Sequence, residues 1–90
     1  AVRLSVRLQL VSRLKAEIEK SVDELARMVS LEMGKVFSEA TAEAKRLATF
    51  CDLALEHAEE VLSSRPIHAP GKRAFSVFEP LGVIFSITPW

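Results

Sequence analysis

The chain has 90 residues, 49% hydrophobic and 27% charged, with three glycines and four prolines; that composition allows one small domain at most and excludes native disorder. Its formal net charge is zero, so bulk electrostatics give no reason to expect a nucleic acid or an anionic membrane as partner. A single cysteine, Cys51, excludes an intrachain disulfide and fits a reducing compartment, and no stretch reaches the roughly 18–20 apolar residues of a membrane span.

The opening "AVRLSVRLQL" is no secretory signal, because Arg3 and Arg7 interrupt any apolar core. It lacks an initiator Met, which points to a natural start further upstream. Val2, Leu4, Val6, Leu8 and Leu10 alternate as a strand would, but from Leu10 the period changes. Val6, Leu10, Leu14 and Ile18 form an i, i+4 row, and the spacing predicts a helix over about residues 3–19. Ser21-Val22-Asp23-Glu24 reads as a capping box that starts a second helix, and Gly34 stops it, giving about 22–33. Ser38 is placed to cap a third helix over about 39–62. Its regular apolar face comprises Ala40, Ala44, Leu47, Ala48, Cys51, Leu55, Ala58 and Leu62. Ser63, Ser64, Pro66, Pro70 and Gly71 then mark a loop.

"KRAFSVFEP" alternates and reads as a strand ended by Pro80. The last stretch, Gly82 to Ile87, is a nearly continuous apolar run rich in β-branched residues. Such runs are strands buried on both faces inside a parallel sheet. Two adjacent strands cannot bury it, so its neighbours are missing from this chain. Charge follows the same divisions: residues 1–20 hold five basic and two acidic groups, residues 21–62 four and nine, and residues 63–90 three and one. Solvated helix faces account for that pattern.

Chemistry-bearing residues are sparse. Cys51 has Leu47 and Leu55 one turn away on either side, an apolar setting that suits a core cysteine and not a thiolate. His57 and His68 have no second ligand at metal spacing, so no metal site is expected. Gly34-Lys35 fails as a phosphate loop, since Val29 stands where the earlier glycine belongs and Val36 where the hydroxyl belongs. A helix end with a basic residue near its dipole is the simpler account. The pairs Asp23-Glu24 and Glu59-Glu60 fall on exposed helix surfaces. The ending "SITPW" is harder to explain by packing alone, because ligands in open α/β sheets bind beyond the carboxyl ends of strands.

"EPLGVIFSITPW" resembles the segment of the aldehyde dehydrogenase superfamily that usually continues Asn-x-Pro. "LEMGK", Leu31 to Lys35, is similar to that family's Glu-x-Gly-Lys at the end of its second helix. Glu39-Ala40 followed by Glu43 resembles the start of its third. The resemblance runs from about Arg7 to Trp90. "EHAEEVLSSRPI" with the Gly-Lys-Arg strand is most similar to the succinate-semialdehyde dehydrogenase branch.

The resemblance implies an α/β fold of which this chain is an N-terminal piece: three helices, an oligomerisation-type strand, and the first strand of a doubly wound cofactor sheet. Residues 1–71 would be the helical part of the cofactor-binding domain, 72–80 a strand of the oligomerisation arm, and 81–90 the first strand of the dinucleotide sheet. Ile87, Thr88, Pro89 and Trp90 would line the cleft for NAD or NADP. The parent enzyme would oxidise an aldehyde, with succinate semialdehyde as candidate, through a thiohemiacetal; it would pass hydride to the nicotinamide and hydrolyse the thioester. The family's catalytic Cys, general-base Glu and oxyanion-holding Asn have no counterpart here, and Cys51 matches none of them. The chain alone would therefore be inactive. The resemblance further implies a homo-oligomer, in the cytoplasm or the mitochondrion. The competing class is a non-catalytic helical interaction module, which explains residues 1–62 and leaves 72–90 unexplained.

Overall fold

The computed structural model describes residues 2–88. Three helices, α1 (Leu4–Lys20), α2 (Val22–Met33) and α3 (Phe37–Val61), precede two short strands, β1 (Arg65–Ile67) and β2 (Ala74–Ser76). α3 packs against both α1 and α2. The helices lie within two residues of their expected bounds, because the 3.6-residue period is long and consistent in each.

The helix ends differ in detail from expectation. Ser21 does not cap α2 with its side chain; instead its N–H donates to the carbonyls of Glu17 and Ile18, at 3.1 and 3.0 Å, and its own carbonyl accepts from Leu25 N–H at 2.9 Å. One residue thus closes α1 and opens α2, which leaves it with φ −109° and ψ 12°, outside the extended backbone of an N-cap. Ser38 does not cap α3 either. The helix starts two residues earlier, at Phe37, with Val36 as the flanking residue and its carbonyl accepting from Ala40 N–H. Gly34 does stop α2 in the left-handed conformation, at φ +68°, with its N–H on Ser30 carbonyl at 3.0 Å. At the far end of α3, Ser63 Oγ donates to Glu60 carbonyl at 2.7 Å.

The core is a spine of small side chains. Ala26 and Ala40 are fully buried, and Ala44, Ala48 and Cys51 nearly so. Among the described residues no large side chain is fully buried. Small residues let helix axes approach toward the short end of the 8–10 Å range. α1 turns Leu4, Leu8, Val11, Lys15 and Ile18 inward, a three–four spacing. The i, i+4 row read from the sequence is not that face: Val6, Leu10 and Leu14 are exposed, and only Ile18 is half-buried. Each step of four residues advances about 40° around a helix with 3.6 residues per turn, so such a row winds out of any straight contact. Leu47, three residues after Ala44 and so turned about 60° the other way, is exposed at the margin of the α3 face.

β1 and β2 pair antiparallel, with Arg65 opposite Ser76, Pro66 opposite Phe75 and Ile67 opposite Ala74. Between them, Ala69-Pro70-Gly71-Lys72 forms a β-turn: Lys72 N–H donates to Ala69 carbonyl at 3.0 Å, and Gly71 has φ +72°. Proline second and a positive-φ glycine third are the requirements of a type II turn. β1 lies where the sequence suggested only a loop, and β2 occupies three residues of the expected strand. Among the described residues Gly82 to Ile87 pairs with nothing and forms no strand. The expected strand needed neighbours on both sides, and neither β1 nor β2 reaches it. Its side chains are bare: Val83, Phe85 and Ile87 are each more than four-fifths exposed.

The molecule accordingly measures 60 × 24 × 21 Å, with a radius of gyration of 18.1 Å, against about 12 Å for a compact chain of this length. The 90-residue chain in isolation is expected to be helical but loosely packed and to associate through its bare apolar segment. Sedimentation at rising concentration should show growth of the particle; a monomer with sharp, dispersed side-chain resonances would contradict it.

Candidate functional site

Of the four residues expected at a cofactor cleft, Ile87 and Thr88 lie in the exposed segment after β2, outside regular structure. Pro89 and Trp90 lie outside the described residues. The same segment borders an open groove of about 810 Å³. Val2 ahead of α1 and Leu10 within it line one side, and Leu81, Val83 and Ile84 the other. Arg7 and Glu79 stand at its edge. The lining is apolar, which suits an apolar surface better than a phosphate.

A second, smaller cleft of about 360 Å³ lies between the α1–α2 corner and α3, with Glu19, Lys45, Thr49 and Asp52 in its walls. Beside it Lys15 crosses from α1 to α3. Its Nζ sits 2.6 Å from Asp52 Oδ1 and 3.6 Å from Glu19 Oε1. The hydrogen bond to Asp52 is the main reason its pKa rises above the ordinary 10.5, ahead of an opposing effect of burial. A lysine held charged in this way joins helices and offers no proton acceptor. Because the folded-state pKa is the higher one, this contact stabilises the fold in full below the ordinary lysine value and is lost as pH climbs through the raised one. Lys15→Met is therefore expected to melt earlier than the wild type at neutral pH. The gap should close in strong alkali, as followed by helical circular dichroism; a gap independent of pH would show that the charge pairing with Asp52 does not account for it.

The motif around the α2–α3 corner resolves into structure. Gly34 supplies the left-handed stop, and Lys35 Nζ pairs with Glu43 Oε2 on α3. The ammonium thus reaches a carboxylate on the next helix instead of serving the α2 dipole. Ala40, within the Glu39-Ala40 pair, is fully buried. These residues fix how α2 meets α3.

Cys51 is buried in the alanine spine, as its apolar neighbours implied. In the full-length protein Cys51→Ser is expected to leave turnover within about tenfold of wild type and to lower stability by about 1–2 kcal/mol, a hydroxyl replacing a thiol on an apolar face. Loss of several orders of magnitude in turnover with the fold intact would make Cys51 catalytic. Ser30 Oγ is buried without a hydrogen-bond partner, so no base activates it as a nucleophile would require. His57 is exposed, 3.8 Å from Glu56, and the pairs Asp23-Glu24 and Glu59-Glu60 are exposed as expected. Among the described residues no three His, Cys, Asp or Glu side chains cluster as metal ligands, and no helix is long and apolar enough to cross a membrane.

Within this chain the conspicuous motifs thus serve packing, and comparison with known proteins decides what they pack for. The model of the aldehyde dehydrogenase family matches residues 1–90. The chain belongs to the aldehyde dehydrogenase family. Among its relatives, a probable NADP(+) succinate-semialdehyde dehydrogenase of Synechocystis is 36% identical over 73 residues, covering 81% of this chain and 16% of the relative. An Escherichia coli K12 succinate semialdehyde dehydrogenase named for NAD(P)+ is 37% identical over 68 residues, covering 76% and 15%. An NADP(+) succinate-semialdehyde dehydrogenase of Mycobacterium avium is 39% identical over 77 residues, covering 81% and 16%. The chain spans about a sixth of the length of these curated relatives. No solved structure matches it. Membership in the aldehyde dehydrogenase family agrees with the element order, three helices and then paired strands.

Proposed function

We propose that this chain is part of an aldehyde dehydrogenase that oxidises succinate semialdehyde to the dicarboxylic acid, with NAD or NADP as hydride acceptor. The family match across residues 1–90 carries this reading, and the relatives' names supply the aldehyde and the nucleotide. The chain's own share of the work is scaffolding. Residues 1–71 belong to the cofactor-binding domain, 72–80, which carry β2, to an oligomerisation arm, and 81–90 to the dinucleotide sheet. Ile87, Thr88, Pro89 and Trp90 shape the cofactor cleft with backbone and apolar contacts. The nicotinamide nucleotide, when bound, supplies the hydride acceptor. The 90-residue chain is inactive alone, because the family's catalytic Cys and general-base Glu have no counterpart in it and Cys51 is buried. The assembled enzyme is a homo-oligomer of the cytoplasm or the mitochondrion.

The full-length protein, purified and supplied with a panel of aldehydes and either nucleotide, should form reduced nicotinamide fastest with succinate semialdehyde. The 90-residue chain should form none. Failure of the full-length protein with every aldehyde, or turnover by the 90 residues alone, would overturn the proposal.

A further inference from the structure

We draw no further inference here: the strongest candidate, the exposed apolar stripe of α3 formed by Leu47, Phe50 and Val61 beside the alanine spine, has nothing in the structure to show what covers it.

Discussion

Trp90→Ala in the full-length protein should raise the Michaelis constant for the nicotinamide nucleotide and lower turnover together. The expected loss is about 2–4 kcal/mol of transition-state stabilisation, the scale of removing one oxyanion donor. Trp90 follows a proline, whose ring fixes φ near −65° and so fixes the direction in which the chain leaves the apolar run. In the proposed sheet, that exit lies at the carboxyl end of a central strand, where a dinucleotide binds. A large aromatic there would shape the cleft floor and support the residue after it. One truncation would then disturb both nucleotide binding and the neighbouring donor. Kinetics at varied nucleotide concentration separate the two effects. Quenching of Trp90 fluorescence by reduced nicotinamide, in a variant stripped of other tryptophans, gives an independent reading. A variant that binds nucleotide and turns over normally would make Trp90 a core filler.

The second large effect concerns the alanine spine. Ala40→Leu should destabilise the helical unit by about 1–3 kcal/mol, because added methylenes have no room where α3 meets its neighbours. Ala40 is fully buried, whereas Ala42, two residues on, is exposed on the same helix. Ala42→Leu is the matched control, expected within about 0.5 kcal/mol of wild type. For a domain of this size each kcal/mol moves the midpoint by about 4–8 °C. Thermal loss of the helical signal compares the two variants directly. Equal midpoints would show that α3 does not rely on close approach at Ala40.

The helices were legible because each carries many turns of one period and Gly34 ends α2 by a conformation few other residues take. Which side of α1 faces inward was not legible. Val6, Leu10 and Leu14 are as apolar as Leu4, Leu8 and Val11, and only the presence of α3 chooses between the two sets. Ser21 and Ser38 look like caps in sequence, but a cap needs extended backbone, and tertiary packing places Ser21 at a joint and Ser38 inside a helix. The β1–β2 hairpin does carry a signal in the sequence: Pro70-Gly71, the centre of a type II turn, flanked by Ile67 and by Ala74 and Phe75. Pro66 hid it, since proline argues against a strand except at an edge, and both strands of a two-stranded ribbon are edges. Gly82 to Ile87 is the opposite case. Its composition stated its need for partners on both faces, but composition cannot supply them, so the segment stays bare. Of the proposed cleft residues, the sequence offered only a short motif, with no titratable side chain to mark it.

The joint at Ser21 has a consequence for how this part of the chain can change over time. α1 and α2 share a residue and have no loop between them, so nothing there absorbs slack. Substitutions at Ser21 leave the rotational phase of α2 where it is, because its side chain makes no capping bond. Adding or deleting one residue would instead swing all of α2 by about 100° about its axis, carrying Ala26 out of the spine. Insertions and deletions that most helix corners accommodate are therefore barred at this one, while side chains other than proline, which would lose the N–H bonds to Glu17 and Ile18, can stand there.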